Sequence, residues 1–157
     1  MTWFAADGPA RFAPDRFPVF IHERAGPHGY GMPSLDGATV KAALHHGGAA
    51  TDPELVDREV GEADLAPVTA FVAEALSGLS ARPVRSAVCM YTNTPDEHFV
   101  VGPAPGLAGV TVLGGFSGHG FKFAPVMGEI AADLALDGRT AYAIEGFSPL
   151  RFSASGP

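Results

Sequence analysis

Short apolar runs broken by glycine and proline fill the first 46 residues, a rhythm that predicts strands. Phe17-Pro18-Val19-Phe20-Ile21-His22 is the first clear β-rich run. Tyr30-Gly31-Met32-Pro33 and the stretch from Thr39 to His46 predict two more strands, joined by a Ser34-Leu35-Asp36-Gly37 turn. Alternation places Lys41, Ala43 and His45 on one face of the later strand. Lys41 and His45 then stand about 13 Å apart at a rise of ~3.3 Å per residue, leaving room for a flat ring system or a small substrate. After a polar stretch from Gly47 to Glu62, the period lengthens. Leu65, Val68, Phe71, Val72, Leu76 and Leu79 recur at helical spacing, with Asp64 as the expected N-cap.

Strands resume at Arg85 to Thr92, where Cys89 and Tyr91 share a face, and continue at Phe99 to Val101 and Val110 to Leu113. The last of these leads into Gly114-Gly115-Phe116-Ser117-Gly118-His119-Gly120-Phe121-Lys122, followed by an amphipathic helix from Pro125 to Leu136 that stops at Asp137-Gly138. A strand, a glycine-rich loop and a helix start in succession suit a ligand. Bare backbone comes close, and the helix dipole favours an anionic or electron-rich group. The loop is not a P-loop, because its lysine is followed by phenylalanine.

Composition narrows the class. Hydrophobic residues make up 46% of the 157 and charged residues 17%, which supports a buried core and argues against disorder. A net charge of −7 argues against a nucleic-acid partner, which calls for a basic stripe. No apolar run reaches the ~20 residues of a membrane helix, the first residues do not resemble a secretory signal, and Cys89 is the sole cysteine, so a cytoplasmic protein without membrane association is expected. Only two lysines occur, Lys41 and Lys122, each among apolar neighbours, against eight arginines. For each, a snorkelling surface side chain and a buried functional amine are both open.

The remaining polar residues offer little local chemistry. As a bare strand cysteine, Cys89 reads as a packed thiol, and a hydrolase nucleophile with His98 or His119 as base lacks an orienting acid at recognisable spacing. His45 and His46 are neighbours on a strand and should face opposite ways, so no metal site is expected. Asp96-Glu97 reads as a solvated turn.

Two stretches carry more: Cys89-Met90-Tyr91-Thr92-Asn93-Thr94-Pro95-Asp96-Glu97-His98-Phe99, and Gly115-Phe116-Ser117-Gly118-His119-Gly120-Phe121-Lys122-Phe123. Together they resemble the monomeric sarcosine oxidase and N-methyl amino acid oxidase family of FAD-dependent amine oxidases. Tyr30 to Pro33, the Lys41 to His45 strand and the tail Gly146 to Phe152 resemble further family segments in the family's order. The resemblance implies that Cys89 is the cysteine joined covalently to FAD. It implies that Lys41 lies near flavin N5 and activates dioxygen, and that Lys122 binds a substrate carboxylate. His45, Tyr30 and Tyr91 would line the substrate pocket, with Gly118 and His119 against the flavin. The implied reaction takes an N-methyl amine to an imine, with dioxygen reduced to hydrogen peroxide.

The family pattern also opens with a strand, a Gly-x-Gly-x-x-Gly turn and a helix, which do not occur in this sequence. The expectation is therefore an α+β chain corresponding to the C-terminal half of such an enzyme, with the N-terminal Rossmann-type half absent. Residues 1–98 would form a substrate-side antiparallel sheet with one covering helix, and residues 99–157 the last strands and helix of an FAD-binding lobe. A partner chain would carry the dinucleotide-binding half. The alternative is a non-catalytic remnant or interaction module of a truncated or split flavoenzyme.

Overall fold

The computed structural model describes residues 1–23, 25, 26 and 28–153. The chain is α+β, with antiparallel sheets and, among the described residues, two α-helices. It separates into two compact units, Met1–Cys89 and Met90–Pro157. That division falls earlier than the expected one after residue 98. Ala87 still pairs its backbone with Met1 of the first unit, whereas Thr92 and Thr94 already bond to Ser117.

In the first unit, β1 (Thr2–Ala6), β2 (Phe20–His22), β3 (Gly29–Met32), β4 (Thr39–Leu44) and β5 (Leu79–Ser86) form one antiparallel sheet in the order β2-β3-β4-β1-β5. The run from Phe17 enters the sheet only at Phe20, because Pro18 offers no N–H for a ladder. The expected turn before β4 is held by Asp36, whose carboxylate accepts from the Thr39 hydroxyl and from the N–H groups of Thr39 (2.7 Å) and Ala38 (2.9 Å). These bonds, the Thr39 side chain first, hold the Asp36 carboxyl well below its ordinary range.

The helix expected from Leu65 to Leu79 is α1, and it runs from Glu62 to Ala75. Asp64 is not its N-cap. It lies inside the first turn and reaches back to accept the Gly61 N–H at 2.9 Å. At the other end Ser77-Gly78 makes a turn and releases Leu79 to begin β5. The strand expected at Arg85 to Thr92 is thus displaced: β5 ends at Ser86, and Cys89 and Tyr91 lie in a segment outside the sheet. Pro83 is accommodated because β5 is an edge strand and its register shifts beside Phe4.

Alternation gives this sheet two different faces. Phe4, Val40 and Ala42 turn toward α1 and are buried with Val68, Phe71 and Val72. Phe12 and Leu79 complete that core. Trp3, Lys41 and Tyr30, on the other face, are only half-buried. Gly29 is required by the packing: a Cβ there would lie inside the Phe71 ring.

In the second unit β6 (Val100–Pro103) pairs antiparallel with β7 (Thr111–Gly114), and α2 (Ala124–Leu136) covers them. Phe99, Val101 and Ile130 form the core. Phe99 is its hub, with the rings of Phe116 at 5.1 Å, Phe123 at 5.2 Å and Phe147 at 5.7 Å. The predicted stop at Asp137-Gly138 is where α2 ends.

The Gly29–Phe71 contact makes a test of the first core. Gly29→Ala overpacks it and should lower stability by about 1–3 kcal/mol, and Phe71→Ala should cost about 3–5 kcal/mol by leaving a cavity. Urea denaturation of Gly29→Ala combined with Phe71→Leu should recover part of the first loss. Strict additivity of the two changes would show that the contact does not limit packing.

Candidate functional site

The half-buried face of the five-stranded sheet gathers three of the expected residues. The register sets Trp3 opposite Lys41 and Tyr30 opposite Ala43, so these side chains share the face that α1 does not cover. The Lys41 ammonium stands 6.0 Å from the Trp3 ring centroid and 5.9 Å from that of Tyr30, within cation–π range of both. The His45 ring meets Tyr30 edge-on at 6.2 Å. Lys41 is therefore half-buried beside aromatic faces, a setting between the two that its apolar neighbours left open.

Two details differ from the strand reading. β4 stops at Leu44, and His45 lies in a turn, its N–H donating to the His28 carbonyl at 2.7 Å. His46 takes a left-handed backbone (φ 54°), which brings the two neighbouring imidazoles to 4.1 Å instead of turning them apart. Among the described residues no group of three or more His, Cys, Asp or Glu is placed to hold a metal ion.

Cys89 is exposed, not a packed strand thiol. It lines a cleft of about 320 Å³ with Met1, Ala43, Asp64 and Val88. The Met1 amino group in that cleft is held below its ordinary pKa, first by burial; Cys89 opposes the shift and Lys41 adds to it.

In the second unit the two signature stretches fold against each other. The Ser117 N–H donates to the Thr92 carbonyl at 3.1 Å, and the Ser117 hydroxyl accepts from the Thr94 N–H at 3.3 Å while donating to the Gly115 carbonyl at 3.0 Å. Ser117 is fully buried and left-handed (φ 49°), a conformation these three bonds hold in place. The next residue, Gly118, is also left-handed (φ 79°), and a Cβ there would enter the ring of Tyr91. Tyr91 is thereby seated on bare backbone. His119 packs on Phe99 with ring centroids at 5.1 Å, and its Nε2 lies 3.0 Å from the Glu97 carbonyl. Lys122 lies in a 3-10 turn (Phe121–Phe123) just before α2 and is exposed, as is Phe121.

Sequence reasoning missed four participants. Trp3 and Arg85 form a close cation–π pair, the guanidinium carbon 4.0 Å from the ring centroid. Asp96, read as part of a solvated turn, accepts from Arg151 at 2.7 and 3.0 Å. Period-two spacing within a strand of known extent would have found Trp3. No local signal pairs Asp96 with a residue 55 positions later.

A family model described as FAD dependent oxidoreductase matches residues 4–134. This chain belongs to the FAD-dependent oxidoreductase family. Monomeric sarcosine oxidase of Streptomyces avermitilis is 43% identical over 160 residues, which cover 99% of this chain and 42% of that relative. N-methyl-L-tryptophan oxidase of Salmonella typhi is 40% identical over 158 residues, covering 97% and 41% respectively. The chain thus spans less than half the length of these two relatives. A solved structure of NikD, described as an unusual amino acid oxidase essential for nikkomycin biosynthesis, matches with a TM-score of 0.66 at 21% identity, over 95% of this chain and 41% of that one. L-proline dehydrogenase from P. horikoshii gives the same score at 23% identity, over 97% and 40%. At those identities the likeness is one of fold.

The residues present suit part of an FAD site in chemical kind. Taken separately, the exposed Cys89 thiol and half-buried Lys41 cation of the first unit, and the left-handed backbone at Gly118 of the second, are groups compatible with a flat, electron-accepting ring. No helix among the described residues is long and apolar enough to cross a membrane.

Asp96 also yields a pH prediction. The Arg151 guanidinium, with smaller help from the His98 N–H and the Thr94 hydroxyl, holds its carboxyl below the ordinary 3.8. A depressed folded-state pKa contributes stability above the unfolded value, and that contribution is lost as pH falls through the folded one. The melting temperature should therefore drop on acidification below about pH 4 more steeply in the wild type than in Asp96→Asn. Parallel acid limbs in the two proteins would mean that the pair contributes nothing.

Proposed function

We propose that this chain supplies substrate-side and flavin-side residues to an FAD-dependent amine oxidase. The reaction converts an N-methyl amino acid or similar secondary amine to an imine and reduces dioxygen to hydrogen peroxide. The observation that carries the proposal is the mutual packing of the two signature stretches, which seats Tyr91 on Gly118 through Ser117. The dinucleotide-binding half comes from further sequence or from a partner chain. FAD, when bound, supplies the electron sink that accepts the hydride equivalent from the amine and delivers electrons to dioxygen.

The chain's own residues have separate tasks in this reading. The exposed Cys89 thiol is the point of covalent attachment, and a reducing cytoplasm keeps it available. Lys41 carries a fixed positive charge, backed by the Trp3 and Tyr30 rings, where negative charge develops on oxygen. The exposed Lys122 ammonium binds the substrate carboxylate and so orients the N-methyl group. Tyr30, His45 and Tyr91 form pocket walls, and Gly118 and His119 present a surface flat enough to lie against the cofactor.

The test is expression of this chain with a dinucleotide-binding half, followed by acid precipitation. The pellet should keep flavin absorbance, and Cys89→Ser should lose it entirely; a colourless wild-type pellet refutes attachment. In the assembled enzyme Lys41→Met should slow reoxidation by dioxygen about 10²–10³-fold, the size expected for removing one preorganised charge-stabilising group. Stopped-flow absorbance reads that step apart from amine oxidation.

A further inference from the structure

We infer that Arg151, close to the C-terminal end of the described residues, is a positioning residue that sets where Tyr91 stands. The inference rests on the proposed role of Tyr91 as a wall of the amine pocket, and it extends that role to a residue outside both signature stretches.

Arg151 lies in a 3-10 turn (Pro149–Phe152) and is half-buried. Its guanidinium makes five hydrogen bonds, as many as it has N–H groups. Nε donates to Asp96 Oδ2 at 2.7 Å, and Nη2 donates to Asp96 Oδ1 and to the His98 carbonyl, both at 3.0 Å. Nη1 donates to the carbonyls of Phe147 at 3.0 Å and Ser148 at 3.3 Å. Two of these bonds anchor the guanidinium to its own segment, and the other three grip the loop that follows Tyr91. The paired bonds to one carboxylate fix the plane of the contact as well as its distance. A lysine could not reproduce that fork.

From Asp96 the chain of contacts continues inward. Asp96 Oδ1 accepts from the His98 N–H at 3.1 Å and lies 3.0 Å from the Thr94 hydroxyl, which also lies 2.7 Å from the His98 carbonyl. Thr94 in turn donates its N–H to the Ser117 hydroxyl, and Ser117 bonds back to Thr92, next to Tyr91. Tyr91 and Gly118 therefore stand between two fixed points, Ser117 on one side and the Asp96–Arg151 pair on the other. Releasing Arg151 leaves Asp96 with local partners only and frees the loop to move away from the glycine backbone.

Tyrosine-specific labelling tests this without any cofactor. The 157-residue chain has three tyrosines, Tyr30, Tyr91 and Tyr142, so 3-fluorotyrosine gives three fluorine resonances, assigned by Tyr→Phe substitutions. Tyr142 is an internal control from the same unit, because its hydroxyl bonds Glu129 at 2.7 Å and not a member of the Arg151–Asp96–Thr94–Ser117 network. Arg151→Met should shift the Tyr91 resonance toward its random-coil position and leave Tyr142 and Tyr30 in place. Asp96→Ala, at a more exposed position, should do the same and decides the matter if Arg151→Met does not fold. A Tyr91 resonance unmoved in a folded variant, or all three moving together, overturns the inference. In the assembled enzyme both substitutions should raise KM for the amine while acid-stable flavin content stays at the wild-type level. Loss of flavin from the unsubstituted protein would instead be a failure of the proposed function.

Discussion

The alternation of side chains along two adjacent strands underlies the first unit. On β1 and β4, Phe4, Val40 and Ala42 go to one side and Trp3 and Lys41 to the other. The first side is sealed by α1, with Phe71 pressed onto Gly29, so the register cannot slip by a residue without exposing the core. Lys41 owes its half-buried position to that lock. An ammonium is not held beside two aromatic rings by attraction alone; it is held because the strand beneath it has one acceptable register.

The second unit solves a different problem, that of presenting backbone. Its loop from Gly115 to Gly120 makes no regular ladder, yet Ser117 is completely buried. The serine hydroxyl and N–H replace sheet bonds by linking the loop to Thr92, Thr94 and Gly115. The Phe99 cluster supplies the apolar support beneath. Neighbouring residues divide the work here: Ser117 holds the loop, and Gly118 leaves room for the Tyr91 ring.

The elements most readable in the sequence were those with strong periodicity and clear punctuation. The second helix ends where Asp137-Gly138 indicates, and the strands around Tyr30 and Lys41 lie where alternation puts them. The edge strand β5 was hidden because Pro83 and two arginines look like loop. Cys89 and Tyr91, in an apolar run, looked like strand although the sheet has already ended. The shared face of Lys41 and Ala43 follows from alternation and was legible, whereas the nearness of Tyr30 to Lys41 depends on the β3–β4 register and the Asp96–Arg151 contact on a return of the chain, neither of which a local pattern encodes. The family resemblance named positions, and only packing explains how they are held.

The seat of Tyr91 on Gly118 has an evolutionary corollary. A side chain at 118 requires the aromatic ring at 91 to shrink or leave first, and even then the left-handed backbone resists it. Position 118 therefore cannot leave glycine while a tyrosine stands at 91, whereas position 91 can shrink by itself. The order of change is fixed: lineages with a side chain at 118 would already carry a smaller residue at 91, although 27 positions separate the two in the chain.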